Sequence, residues 1–290
     1  VYFVFYDNMI VLDHHTGIML LTACGMLREH GESMEKIKNE LNNRAKRIHC
    51  DDSVNHCSGN AEAKSKNDYI KRVEKARTYM RNGDIYIANI TYPIHAETEK
   101  TGYEIYQSLR RTNPSPFSAF LCCDGFEILS SSPERFLKIE HRQAETRPIK
   151  GTVSRGEDST EDAKNRTELI HSEKDREELL MIVDLERNDL SKVCKPHTVK
   201  VPALYEIEAY STVYHLVATV TGELKDHVSP VECFKSCFPG GSVTGAPKKR
   251  AMEIISELEN YKRGLYTGCL GYFSFDGNAD FNILIRTIIK

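Results

Sequence analysis

The sequence predicts a mixed α+β fold built on antiparallel sheets, and three observations carry that reading. Apolar runs of strand length follow one another across hairpin turns, as at Asp124-Gly125 and Asp276-Gly277-Asn278. Longer segments with helical spacing are scattered between them, as over 69–80 and after Pro247. The order lacks the regular strand–helix alternation of a parallel, nucleotide-binding sheet.

Taken in order, residues 2–22 read as strands over 2–6, 9–13 and 18–22, with turns at Asp7-Asn8 and Thr16-Gly17. A helix is expected over 34–47. Residues 48–67 are rich in Ser, Asn, Asp, Gly and Lys and read as a linker. The chain therefore divides into an N-terminal remnant (1–47), a linker (48–67) and a main domain (68–290). Tyr69, Val73, Ala76 and Met80 recur at helical spacing, and Gly83 stands where a C′ residue belongs. Strands are expected over 85–93, 117–123, 127–131 and 135–140, and a strand over 143–149 delivers Lys150 at its end. A charged loop leads into a helix over 172–190, whose apolar centre at 179–183 predicts burial all round. Further strands are expected over 198–201, 215–221, 271–275 and 281–289. Between them Ala251, Ile254, Ile255 and Leu258 mark one face of a helix. Both ends read as cut from a longer protein: the chain opens without methionine and closes directly after an apolar strand.

At 290 residues the chain suffices for one large domain or two small ones. Its net charge of -3 lacks the basic face that nonspecific nucleic-acid binding needs. No apolar run approaches the roughly 20 residues of a membrane span, and residues 1–6 lack the basic start of a signal peptide. Nine cysteines without a secretory signal predict reduced thiols and a cytoplasmic protein. The pairs His49-Cys50 and His56-Cys57 match no standard zinc spacing.

Chemistry concentrates at a few places. Residues 145–152 read Glu-Thr-Arg-Pro-Ile-Lys-Gly-Thr, which holds Lys150 between a proline-stiffened strand and a glycine. A lysine attacks only when neutral, and burial or a cation such as Arg147 favours that form. The plainer reading of a single lysine is a solvated turn. Glu134, in Ser-Pro-Glu-Arg-Phe, is a candidate acid for a leaving hydroxyl, or else a surface partner of Arg135.

Residues 238–248, Phe-Pro-Gly-Gly-Ser-Val-Thr-Gly-Ala-Pro-Lys, read as an anion cradle feeding a helix N-terminus, with Pro247 at the first helical position and Lys248 adding charge. Ala246 stands where a P-loop requires lysine, so the expected anion is a carboxylate, not a triphosphate. A glycine-rich helix cap accounts for the segment equally well. Glu178 borders the buried helical run, where a carboxylate needs a partner or a hard cation. Asp184 and Arg187 read as an intrahelical ion pair. His215 starts an apolar strand, as a core histidine or a proton shuttle. Arg286 is a natural fork for a carboxylate.

These segments, with Leu-Met-Ile-Val-Asp-Leu-Glu-Arg-Asn-Asp-Leu and Ile-Arg-Thr, resemble the chorismate-utilising enzymes, in order from about Asp68 to Ile289. The resemblance implies an α/β sandwich of two large antiparallel sheets with helices packed outside. The residue before Gly-Thr separates branches. Lysine, as at Lys150, is typical of the aminodeoxychorismate branch, whereas the anthranilate branch usually has alanine. The implied chemistry is amination of chorismate at C4. Lys150 attacks C2, Glu134 serves as acid and then base, and His215 matches an active-site histidine. The resemblance further implies Mg²⁺ on Glu178, a substrate site formed by Gly151, Thr152, Tyr272 and Arg286, and a pocket closed by Thr244, Gly245, Ala246 and Lys248. Ile87 stands where water-adding relatives carry a lysine, which argues against that branch. No cysteine sits on a Gly-x-Cys-x-Gly elbow, so ammonia is expected from a separate glutamine amidotransferase subunit. The alternatives are an anthranilate-forming enzyme and a truncated module that binds chorismate without turnover. With Glu178 as the one metal carboxylate carried over, residues 1–290 alone are expected to bind Mg²⁺ weakly.

Overall fold

A computed structural model describes residues 1–45, 61–63 and 66–290. The chain divides into two compact units, Val1–Cys57 and Ser58–Lys290. Most of the expected linker, with His49, Cys50, His56 and Cys57, lies outside the described residues.

In the first unit, β1 (Asn8–Asp13) and β2 (Ile18–Ala23) form an antiparallel hairpin, and α1 spans His30–Ala45. The Asp13 carboxylate ties the turn by accepting from Thr16 Oγ1 at 2.6 Å. Residues 1–6 form no strand, because β1 pairs only with β2 and no described strand runs beside 1–6.

The second unit opens with β3 (Ala61–Ala63) and α2 (Lys66–Arg81). Gly83, at φ 80°, closes α2: its N–H donates to Met80 O and that of Asp84 to Tyr79 O, a Schellman cap. The expected strand over 85–93 shrinks to β4 (Ile87–Ala88), whose partner is only two residues long. β5 (Ile94–Ala96) follows Pro93, which has no N–H to give a ladder. Helix α3 (Gly102–Thr112), absent from the sequence-based reading, begins with a capping box between Thr101 and Glu104.

Then come β6 (Phe117–Cys123), β7 (Phe126–Ser132), β8 (Arg135–Glu140), β9 (Gln143–Arg147) and β10 (Ile149–Ser154). The charged loop folds largely as α4 (Ser159–His171), capped by Asp158, and leads into α5 (Glu173–Val193). The remaining elements are β11 (Lys200–Ala209), β12 (Val213–Glu223), α6 (Pro230–Cys237), β13 (Gly245–Ala246), α7 (Lys248–Leu258), β14 (Cys269–Phe273), β15 (Ala279–Ile283) and β16 (Thr287–Ile289).

Two antiparallel sheets organise this unit. Seven strands form the larger, in the order β10-β12-β9-β8-β15-β14, with β11 also on β12. The smaller is β16-β7-β6. The expected strand over 143–149 breaks at Pro148: β9 pairs with the C-terminal half of β12 and β10 with its N-terminal half. Lys150 therefore lies inside β10, not at a strand end. The expected strand over 281–289 also breaks. β15 stays in the large sheet between β8 and β14, and β16 crosses to the small one. Arg286, at φ 48°, sits in the crossing.

Helix α5 packs on the large sheet. Leu179, Val183 and Leu190 join Leu137, Leu216 and Val220 in the main core. Leu180 is 42% exposed, so α5 is amphipathic and not buried all round. Among the described residues no helix is long and apolar enough to cross a membrane.

Candidate active site

The site is built where β8, β10 and the 238–248 loop meet. Gly151, at φ 78°, is a bulge that shifts the β10–β12 register between Lys150 and Thr152. A Cβ there would lie 3.0 Å from Asp175 Cβ, so α5 packs directly on the bulge. Cross-strand partners share a face and successive residues alternate. Lys150 pairs with Leu216, which points into the core under α5, whereas Thr152 pairs with His215. The bulge thus sends Lys150 and Thr152 to opposite faces.

On the helix-covered face, Lys150 Nζ donates to Ser242 O at 3.1 Å. Glu134 lies with it, 3% exposed, and accepts from the Ile149 N–H at 3.3 Å. Burial pushes the Glu134 carboxyl up to about 7, against smaller opposing effects of Ser242, the Ile149 N–H and the Lys150 charge. The alternative reading of Glu134, a surface pair with Arg135, does not occur. Arg135 points to the other face and bridges Glu145 (3.0 Å) and Asp280 (3.1 Å). Arg147, expected as the cation beside Lys150, pairs instead with Glu208.

Two further acids line this face, and the sequence-based reading missed both. Glu186 is buried and accepts from Thr146 Oγ1 at 2.6 Å. Burial lifts its carboxyl to about 8, helped by the nearby charges of Glu134 and Asp189. Asp189 is buried and paired with both Lys192 and Lys248. The signal available in the sequence was helical spacing: Asp175, Glu178, Ile182, Glu186 and Asp189 recur every three or four residues on one face of α5.

The 238–248 loop is a rigid wall. Gly241–Val243 form a 3₁₀ turn, and Thr244 Oγ1 donates to Gly240 O at 2.8 Å. Gly245 is held at φ 156° with β13 paired to β4; a Cβ would sit 2.1 Å from Ile87 O. Its glycine serves close backbone packing. Pro247 is the N-cap of α7 rather than its first residue. Lys248 spends its three protons on Asp189, Cys237 O (2.8 Å) and Pro239 O (2.7 Å), which leaves none for an anion. Arg263 stitches the wall from outside, donating to Val243 O at 2.8 Å and to buried Glu259.

On the opposite face His215 is 1% exposed. Its Nδ1 meets Thr152 Oγ1 at 2.8 Å, and its Nε2 is buried without a hydrogen-bond partner. Burial, and then the Arg286 charge, depress its pKa to about 4, so the imidazole is neutral at pH 7. Arg286 is exposed and donates to Asn113 Oδ1 at 3.3 Å. A polar cavity of about 420 Å³ opens on this face, lined in part by Arg135, Arg147, Glu208 and Tyr210. Tyr272 is 60% exposed on β14, in register with Asp280 and Lys138, a row of the sheet remote from Lys150. The structure thus brings Lys150, Glu134 and the loop together, joins Thr152 to His215, and leaves Tyr272 apart.

A family model described as chorismate binding enzyme matches residues 1–290. The chain belongs to the chorismate-binding enzyme family. It is 46% identical to aminodeoxychorismate synthase component 1 of Bacillus subtilis over 76% of this chain and 47% of that protein. It is 37% identical to a probable chloroplastic aminodeoxychorismate synthase of Oryza sativa, over 99% of this chain and 36% of that one. The chain thus spans about a third to a half of these relatives. The crystal structure of anthranilate synthase component I from Streptococcus pneumoniae superposes with a TM-score of 0.86 at 31% identity, covering 98% of this chain and 64% of that one.

Magnesium, implied on Glu178, does not find a complete site. Glu178 is half-buried, one turn from Asp175 and Ile182, with Lys174 at 3.8 Å. Among the described residues no group of three or more His, Cys, Asp or Glu could hold a metal ion. Glu178 by itself supplies only one of the several hard oxygens that Mg²⁺ takes. Asp184 and Arg187 form the expected intrahelical pair at 2.9 Å.

Proposed function

We propose that this chain carries the lysine–acid centre of an aminodeoxychorismate synthase component 1, converting chorismate and ammonia to 4-amino-4-deoxychorismate and water. One observation carries the reading: half-buried Lys150 and buried Glu134 lie together on the helix-covered face, with the acid held at about 7. A carboxyl near pH 7 both gives and takes a proton at neutral pH.

In this mechanism the Lys150 amine bonds to C2 of chorismate, the ring double bonds shift, and the C4 hydroxyl leaves as water with the Glu134 proton. Ammonia then bonds to C4, the shift reverses, and Lys150 departs from C2. The Glu134 carboxylate takes the proton that the added ammonia sheds. The Ser242 carbonyl fixes Lys150 meanwhile.

The reading extends to ammonia from a separate glutamine amidotransferase component, a place on the 4-aminobenzoate route to folate, and a cytoplasmic setting. The test is ammonium-dependent consumption of chorismate with product analysis. A product that keeps its enolpyruvyl group supports the proposal. Release of pyruvate with fluorescent anthranilate would move the chain to the anthranilate branch, and binding without turnover would make it a chorismate-binding module.

A further inference from the structure

Behind the loop that meets Lys150 lies a buried ion pair that the proposed chemistry does not use. Glu259 caps the C-terminus of α7, and its side chain is 2% exposed. Arg263, at 14%, closes on it as a fork: Nε donates to Oε2 at 2.8 Å and Nη2 to Oε1 at 2.7 Å. A carboxylate at this end of a helix faces the negative pole of the dipole, so α7 gains nothing from it. A buried ion pair is also often no better for stability than apolar residues of the same volume. What the pair supplies is a fixed point for the backbone around it.

Two segments hang from that point. Arg263 Nη1 donates to Val243 O at 2.8 Å, and Nη2 donates to Asn89 O. Glu259 Oε1 accepts from the Thr91 N–H at 2.9 Å and from Thr91 Oγ1 at 3.1 Å. The segments are also tied to each other, since the Asn89 N–H donates to Thr244 O at 2.9 Å. Residues 241–244 belong to no strand, and glycines at 240, 241 and 245 give the loop little stiffness of its own. Its rigidity therefore comes from outside. Ser242, whose carbonyl accepts from Lys150 Nζ at 3.1 Å, is the residue before Val243. The Lys150 amine thus rests on a carbonyl whose neighbour is gripped by Arg263.

We propose that Arg263 is a positioning residue: locked on Glu259, it fixes the 242–243 backbone and, through Ser242 O, the Lys150 amine. The inference rests on the function proposed above for Lys150. Such placement matters because a reacting group displaced by about 1 Å can lose about 10²-fold in rate. Lysine cannot replace this arginine. One ammonium can pair with Glu259, but it lacks the planar fork that also reaches Val243 O and Asn89 O.

The test compares Arg263→Lys, Glu259→Gln and Arg250→Lys with the parent in the full-length protein. Arg250→Lys is the control, because Arg250, also on α7, bonds to Asp84 and Glu253 and not to the loop. The first readout needs no turnover: the protein is reductively methylated, and the labelling rate of Lys150 is read by mass spectrometry against that of exposed Lys174. Arg263→Lys should label Lys150 about fivefold faster than the parent, the worth of one lost hydrogen bond, with Lys174 unchanged. The second readout is steady-state kinetics, where kcat should fall by about 10–100-fold while KM for chorismate changes less than about threefold. Glu259→Gln, which keeps one oxygen for Arg263, should move both readouts the same way by less, and it decides the matter if Arg263→Lys does not fold. Arg250→Lys should leave both at the parent's values. Lys150 labelling that stays unchanged in the folded variant would overturn the proposal. So would an equal change in Arg250→Lys, which would mark a general loosening of α7. If the parent turns over no chorismate while Lys150 labelling still follows Arg263, the function reading fails and the clamp stands.

Discussion

Glu186 makes the sharpest physical prediction. Its carboxyl is buried under α5, and its pKa is raised from 4.5 to about 8. The unfolded chain releases this proton near 4.5 while the folded chain keeps it to about 8. Stability is therefore fully present below pH 4.5 and is lost as pH rises through that window. At 1.36 kcal/mol per pH unit, a gap of 3.5 units corresponds to about 4–5 kcal/mol. Glu134 adds to the slope up to about pH 7, and its charge raises the Glu186 carboxyl further. Glu186→Gln removes one member without removing its acceptor for Thr146. In urea unfolding at pH 5, 6.5 and 8, the variant and parent should match within about 1 kcal/mol at pH 5. At pH 8 the variant should be more stable by about 3–5 kcal/mol. A difference between them that stays constant across this range would refute the buried-acid argument.

The remaining predictions concern the site and its wall. Lys150→Ala should abolish ammonium-dependent chorismate turnover while leaving the urea midpoint within experimental scatter of the parent, as both readouts on one preparation will show. Glu134→Gln should lower kcat by about 10²–10⁴-fold, the usual worth of a general acid; a loss below tenfold in steady-state assays would demote it to a packing role. Gly245→Ala, which drives a Cβ to 2.1 Å from Ile87 O, should destabilise the β13–β4 pairing by about 2–4 kcal/mol in urea unfolding. Lys248→Met should cost about 3 kcal/mol by leaving buried Asp189 with Lys192 alone, read from the same melts.

Much of this architecture was legible in the sequence. The 117–123 and 135–140 strands, the Gly83 cap and the α7 face follow from alternation, turn chemistry and helical spacing. Where the reading failed, a tertiary partner decided the outcome. Pro148 splits one strand because β12 is long enough to receive both halves. Residues 1–6 are apolar enough for a strand yet have no described neighbour to pair with. At the site, the Lys150–Glu134 pairing was readable as motif, but the reversal of faces at Gly151 was not, since a bulge is a property of two strands in register. Lys248 shows the same limit: its charge was plain, while its three acceptors come from α5, the end of α6 and the loop ahead of it. Glu186 stayed unnoticed because burial of a helical acid depends on the sheet beneath it.

Covalent bonding of Lys150 to the chorismate ring would be read from the mass of the Lys150 peptide. The protein is mixed with chorismate in ammonium-free buffer, quenched and digested. The expected result is an adduct of chorismate less one water on Lys150, which disappears when ammonium is added and never forms in Lys150→Ala. Turnover by Lys150→Ala at the parent rate, with no adduct in the parent, would contradict it.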